Sequence, residues 1–310
     1  MDSPIRGILL KCFSVLVFTV MAAIVKATSD GGLGVPPGQQ VFFRSFFAIP
    51  VILLWLAWRK ELHTGLRTSR PMEHFYRGIA GTSAMALNFW ALSLLPFPEA
   101  IAIGYAAPLL VVVFAAMFLG ENVRLFRLSM VALGLSGVLI VLSPQLGLLG
   151  EEADFRHTLG AVVALAGAAC AALAQVFVRK MVQQEQTSAI VFWFSATSSV
   201  LGLLTLPFGW VLPDAMTLAL LIATGLLGGI GQILLTSAYR FGEASLIAPF
   251  EYVSMLLSVA IGWFLFDEAA TPVMLAGASL VILAGILIIW RERQLGLERN
   301  RQRKAMTPQG

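Results

Sequence analysis

Charge is what this sequence has least of. Only 12% of its 310 residues are Asp, Glu, Lys or Arg, roughly half the share of an ordinary soluble domain. Histidine numbers three and cysteine two. His63, His74 and His157 lie in or beside loops without the spacing of a metal-ligand set. Cys12 and Cys170 both fall in apolar stretches, where a thiol reads as a small hydrophobe rather than half of a disulfide. No G-x-x-x-x-G-K-[ST] run is present to cradle a nucleotide, and no serine–histidine–acid set falls within the apolar segments. No metal, cofactor or nucleotide hydrolysis is therefore expected, and gradients are the energy source left.

What fills the sequence is apolar. Hydrophobic residues make up 58% of it and the mean hydropathy is +0.84. A membrane-spanning helix needs about 20 mostly apolar residues. Ten such stretches lie end to end: 7–27, 39–58, 74–95, 98–118, 126–143, 158–179, 187–208, 217–239, 244–266 and 272–290. Their unbroken apolar runs exclude the alternating pattern of a membrane β-barrel. The fold class expected is an all-α membrane protein of ten transmembrane helices. The first stretch follows Arg6 and Lys11 but lacks a small-residue cleavage site, so it reads as a retained helix rather than a signal peptide.

The basic residues set the orientation. With the N-terminus in the cytoplasm, eighteen of the 21 fall on the inner side, five of them (Arg59, Lys60, Arg67, Arg70 and Arg77) between the second and third spans. Only Lys26 and Arg156 fall outside, with Arg44 five residues into the second span, placed to snorkel outwards. This is a strong positive-inside bias, so both termini are expected in the cytoplasm of a multi-pass inner-membrane protein. The net charge of +4 resides entirely in residues 291–310, a basic tail expected to be disordered and to rest near anionic headgroups. Nucleic acid is therefore not an expected partner; the lipid bilayer is. Nothing in one sequence sets the oligomeric state.

The two halves echo each other. At an offset of 144, Asn88 meets Gln232, Ser93 meets Ser237, Phe97 meets Phe241 and Glu99 meets Glu243. Three extra residues then move the offset to 147, where Tyr105 meets Tyr252, Pro108 meets Met255 and Glu121 meets Glu268. Five spans per half is an odd number, so the second half enters the membrane from the opposite side. Inverted repeats of this kind underlie alternating access around a midplane site in many secondary transporters.

On the fourth span, "YAAPLLVVVFAAMFLGE" with Pro108 and Glu121, and on its counterpart ending "WFLFDE" at Glu268, the chain resembles the drug/metabolite transporter superfamily in its EamA-like branch. The resemblance covers about residues 5–290, as one five-helix repeat over 5–143 and a second, inverted one over 158–290. It implies a non-enzymatic exporter of amino acids or similar metabolites, or an importer of small cofactors. Met255 departs from the pattern, standing where a second proline would be, so the halves are not expected to kink alike.

Candidate pathway residues are those whose polarity costs most in lipid. Glu251 lies about 10 Å inside the inner boundary at 1.5 Å per residue. Glu251, Ser254, Ser258 and Gly262 share one helical face. Two readings of Glu251 stand side by side: a proton-coupling or ammonium-binding carboxylate, or a structural partner of Lys11. Tyr105 and Tyr252 offer rings to wall a pocket and hydroxyls to orient a polar group. Pro108 removes a backbone donor and marks a bend beside the pathway. Asn88 and Gln232 either bind helices together or line a polar cavity; Trp90 and Gln175 are further cavity candidates. The glycines at 225, 228, 229 and 231 read as close helix packing.

The sequence thus points to a secondary transporter of small metabolites, amino acids first, moving outward through a cavity lined chiefly by the third, fourth, eighth and ninth helices. Its aromatic and amide lining suits neutral or zwitterionic cargo better than polyanions. The alternatives are an importer of a flavin or adenosyl compound and, further off, a membrane-embedded lipid-modifying enzyme, for which Glu61, His63, Glu73 and His74 supply no reactive motif.

Overall fold

A computed structural model describes residues 4–30, 34–119, 125–147, 154–181, 185–241 and 248–306. The described residues form helices and no strand. In chain order these are α1 (Pro4–Asp30), α2 (Pro37–Phe46), α3 (Ala48–Trp58), α4 (Leu62–Gly65), α5 (Pro71–Leu94), α6 (Phe97–Gly104), α7 (Ala106–Leu119) and α8 (Leu125–Leu142). The second half holds α9 (Phe155–Met181), α10 (Thr187–Leu203), α11 (Ala215–Phe241), α12 (Val253–Phe266) and α13 (Pro272–Met306), with 3₁₀ turns at Leu206–Phe208 and Ala248–Tyr252. Proline opens α2 and α5, where its missing N–H costs nothing.

Seven apolar stretches within these helices are long enough to cross a bilayer, and Ser188–Leu203 and Phe250–Phe266 are shorter apolar helices. The tenth segment, α5, has the length at 24 residues but carries Glu73, His74 and Arg77 in its first two turns. Two expected spans are broken. The second divides at Phe47 into α2 and α3, and the fourth divides at Tyr105 into α6 and α7. Residues 291–306, expected to be a disordered tail, instead continue α13 to Met306. Propagating a helix already nucleated within the bundle is cheap, and the arginines, glutamines and leucines there favour it.

The packing repeats with the sequence. The halves correspond with α1 matching α9, α2–α3 matching α10, α5 matching α11, α6–α7 matching the Ala248–Phe266 segment and α8 matching α13. The close pairing of α1 with α11 is then the equivalent of α5 with α9, while α8 with α13 and α2 with α10 pair equivalent elements. These are the exchanges expected of two inverted five-helix repeats. Glycine sets the closest approaches. A Cβ on Gly277 would lie 2.6 Å from the Gly137 carbonyl oxygen, and one on Gly137 the same distance from that of Gly277. A Cβ on Gly225 would lie 2.7 Å from the Phe43 carbonyl oxygen, in keeping with the packing role expected of the α11 glycines.

The repeat is obeyed less well in one place. α1 packs on α5, but the equivalent α9 and α11 are not closely packed. Likewise α6 runs along α12, whereas α7 turns away to pack on α9 and α8. Among the described residues the helices therefore pack more closely at the end where α1 finishes, called here the far end, than at the end where α1 begins.

At that amino-terminal end Glu185 clamps two connections. Its Oε1 accepts from the Ser69 N–H (2.8 Å), the Ser69 hydroxyl (2.9 Å) and the Thr68 hydroxyl (3.1 Å). Burial alone pushes this carboxyl upwards, but the bonds from Ser69 and Thr68 outweigh it and hold it below its ordinary 4.5. A carboxyl depressed by folding adds stability above its unfolded pKa and loses it as pH falls through the folded value.

Two outcomes follow. Gly277→Val should lower the thermal unfolding temperature in detergent, followed by circular dichroism, with a loss of roughly 1–3 kcal/mol from overpacking; no shift would mean the α8–α13 seam opens freely. Acidification from pH 7 should leave the Glu185 contribution intact until about its unfolded pKa, near 4.3, and erode it below. Melting curves of Glu185→Gln should therefore differ from the parent at pH 7 and converge on it in acid.

Candidate functional site

The break between α6 and α7 lies at mid-span and follows from local sequence. Pro108 has no N–H for the Gly104 carbonyl, so the ladder cannot run through, and Tyr105 caps α6 instead with a bond to Ala102 (3.2 Å). The second repeat breaks at the equivalent tyrosine by another route, the 3₁₀ turn Ala248–Tyr252 running into α12 at Val253. The two halves therefore do not bend by the same means: the first breaks between two α-helices beside Pro108, and the second passes from a 3₁₀ turn that contains Pro249 into α-helix at its tyrosine.

The breaks bring the tyrosines together. The rings of Tyr105 and Tyr252 meet edge to face with centroids 5.3 Å apart. The Ser254 hydroxyl donates its proton to the Glu251 carbonyl at 2.7 Å, so in the 2.5 Å contact between Tyr105 and Ser254 the phenol is the donor. A Cβ at Gly285 of α13 would overlap the Tyr252 hydroxyl, which fixes that ring against α13. One turn towards the amino-terminal end, the Glu251 carboxylate lies 3.4 Å from Lys11 Nζ; the lysine side chain is 4% exposed and the glutamate 53%. Of the two readings of Glu251, the ion pair is the arrangement adopted here, with the carboxylate still reachable from water.

Four of the expected residues, Tyr105, Glu251, Tyr252 and Ser254, therefore form one cluster with Pro108 just beyond it. The others stand apart. The Asn88 amide donates to Ala84 of its own helix at 2.9 Å and packs beside Gly167 of α9, a helix-joining position. Gln232 is half-buried with no hydrogen-bond partner among the described residues, while Trp90 and Gln175 are exposed. Glu121, Glu243 and the start of the ninth span at 244–247 lie outside the described residues.

The far end is held by groups that sequence reading did not assign to the site. Lys26 Nζ lies 3.0 Å from Glu268 Oε1 and donates to the Leu95 carbonyl at 2.8 Å and the Leu92 carbonyl at 3.3 Å. Glu268 Oε2 accepts the Phe97 N–H at 2.6 Å. One ion pair thus fastens α1, the α5–α6 turn and the end of α12. The backbone aims it: Asp267 turns left-handed at φ 54° and the Glu268 N–H closes on the Gly262 carbonyl at 2.9 Å. Gly262 must be bare, since a Cβ there would lie 2.7 Å from Pro98. Beside it the buried Glu99 accepts from the Gln145 amide. The available signal was the repeat itself, which had already singled out Glu99 and Glu268.

Two arginines also differ from expectation. Arg44 does not snorkel outwards: it is 7% exposed, because α2 ends at Phe46 and turns its last face inwards against α10 and α11. Arg77 is not a loop residue, since Pro71 starts α5 early enough to place it nearly two turns inside the helix.

Known proteins share this organisation. The sequence model of the EamA-like transporter family matches residues 5–143 and 158–290. The chain is 28% identical to a pseudopaline exporter of Pseudomonas aeruginosa, over 91% of this chain and 95% of that protein. It is 26% identical to an S-adenosylmethionine uptake transporter of Rickettsia bellii, over 92% and 97% respectively. It is 28% identical to a riboflavin transporter of Rhizobium johnstonii, over 84% and 83%. A solved crystal structure superimposes with a TM-score of 0.67 at 22% identity, covering 94% of this chain and 99% of that one, which speaks to the fold alone. With the family's model matched across both halves, this multi-pass membrane protein belongs to the EamA-like transporter family.

Proposed function

We propose that the protein exports small amino-acid-like metabolites across the inner membrane by alternating access, with both termini in the cytoplasm. The supporting observation is the bundle's asymmetry: repeats that pair as equivalents are fastened at the far end and part at the other. With the N-terminus inside, this is the state that loads from the cytoplasm. The tyrosine pair stands where α6–α7 and the Ala248–Phe266 segment diverge, so cargo entering from the cytoplasm passes Glu251 and Lys11 and then meets Tyr105, Tyr252 and Ser254. Glu251, half-exposed and beside Lys11, is the coupling acid. The relatives from Rickettsia and Rhizobium support a second reading, import of an adenosyl or flavin compound through the same pathway.

Counterflow of radiolabelled amino acids in proteoliposomes tests the assignment. Tyr105→Phe should slow exchange about fivefold, the worth of one hydrogen bond near 1 kcal/mol. Glu251→Gln should keep exchange but lose accumulation driven by a pH gradient. Accumulation that survives in Glu251→Gln would return Glu251 to a structural role. Exchange of S-adenosylmethionine or riboflavin, with none of any amino acid, would favour the second reading.

The fastening predicts its own behaviour. Removing one partner of a buried ion pair costs roughly 3 kcal/mol or more, so Lys26→Met should release the far end. In protein whose Cys12 and Cys170 are replaced by alanine, a cysteine at Ala100 should resist a membrane-impermeant maleimide applied to spheroplasts. Adding Lys26→Met should speed its labelling at least tenfold; equal rates would show that the pair does not hold this end closed.

A further inference from the structure

Arg44 of α2 and Arg77 of α5 point at the same ring. The Arg77 guanidinium carbon lies 3.7 Å from the Phe194 centroid and that of Arg44 lies 5.7 Å from it. Phe194 belongs to α10 and is 9% exposed. Neither arginine has a hydrogen bond or ion pair with any described residue. Arg44 Nε and Arg77 Nε and Nη1 are buried without a partner. Lys11 and Lys26, both buried, each have a carboxylate at hand, Glu251 and Glu268. The arginines are the exception, and a cation–π contact with one ring does not replace the donors' lost water: each guanidinium carries five N–H groups and no acceptor.

Leaving two like charges buried and unanswered inside a membrane bundle is costly, and intramembrane charges of this sort are functional by default. Two glycines let the guanidinium groups come close to neighbouring helix backbone. A Cβ at Gly81 of α5 would lie 3.2 Å from Arg77 Nη1, and one at Gly228 of α11 would lie 3.1 Å from Arg44 Nε. Each guanidinium thus has a glycine at its side instead of a side chain. The Ser45 hydroxyl, fully buried, also has no partner. Arg44 reaches inwards far enough to approach Met21 of α1 as well as Gly228, since a Cβ at Gly228 would lie 3.4 Å from Met21 Sδ. The cluster therefore lies where α1, α2, α5, α10 and α11 converge.

We propose that Arg44 and Arg77, braced on Phe194, form an oxyanion subsite that holds the carboxylate of the cargo. The inference deepens the transport reading and rests on it. Guanidinium forks match a carboxylate in bidentate geometry, and a low-dielectric setting strengthens such bonds. Cargo with a free carboxylate is selected, and cargo with two neutralises both arginines. Solutes that lack an anionic group are disfavoured, which narrows the neutral or zwitterionic cargo expected from the sequence to molecules that carry a carboxylate.

The test uses the full-length protein purified in detergent, with L-glutamate and S-adenosylmethionine as probes, each compared with its carboxyl methyl ester. The readout is the ratio of affinities, acid over ester. In the intact protein at least one acid should bind at least tenfold more tightly than its ester. Arg44→Gln and Arg77→Gln should each bring that ratio close to one, and Arg77→Lys should recover only part of it, keeping the charge without the fork. Without ligand, both glutamine variants should melt no lower than the parent, because a buried charge with no partner has been removed. A ratio unchanged in the variants would overturn the inference while leaving transport intact. So would a ratio that is unchanged but accompanied by competition from phosphatidylglycerol or inorganic phosphate, which would assign the arginines to a headgroup or to free phosphate. Absence of binding and exchange for every probe in the intact, folded protein would instead bring down the transport reading itself.

Discussion

A bilayer offers no hydrogen bonds, so every charge carried into it must be answered from within the protein. Much of this structure follows from that constraint. Lys26 can end α1 inside the bundle because Glu268 and two backbone carbonyls of the α5–α6 connection converge on it. Glu268 can face inwards because its other oxygen takes a backbone N–H freed where α6 begins after Pro96. Each partner is the reason the other is tolerated, and together they decide which end of the molecule is shut. Where an answer is missing, at Arg44 and Arg77, the same constraint turns a packing detail into a statement about what the protein binds.

Symmetry and its failure play complementary parts. Duplication makes the pairings of α1 with α11 and of α5 with α9 equivalent, so a conformation at one end has a counterpart at the other. The sequence cannot satisfy both at once in one structure. The tyrosine breaks lie at the centre, where one half uses a proline inside a helix and the other a 3₁₀ turn. Different local chemistry interrupts the α-helix at the equivalent tyrosine in each half.

The sequence disclosed most of the fold because the signal there is thermodynamic. Long apolar runs have few alternatives to spanning helices, and matched polar residues such as Tyr105 and Tyr252 betrayed the repeat. The pairing of Glu251 with Lys11 was visible because both enter from one side. What the sequence withheld depends on helix rotation and on exact starting points. Arg44 looked able to reach the boundary until the break at Phe47 set the rotation of α2. Arg77 was counted with the basic residues of the inner loop although the third span, read from residue 74, already held it, and α5 begins three residues earlier at Pro71. The tail at 291–306 read as disordered on composition, yet it inherits its hydrogen-bond ladder from α13.

The polar opening of α5 also bears on how the protein is made. A segment that brings Glu73, His74 and Arg77 in its first two turns is a weak substrate for the insertion machinery, which releases apolar helices into lipid readily and charged ones at a penalty of about 2.5–3.5 kcal/mol per residue at mid-depth. Its main packing partner, α9, is synthesised only after two more spans have emerged. α1 and α2, which also pack on α5, are already in place. Commitment of α5 to the membrane is therefore a cooperative event, in which the earlier helices receive it and α9 seals it. Errors of biogenesis should concentrate at this one segment, the same one that brings a cation to the centre of the protein.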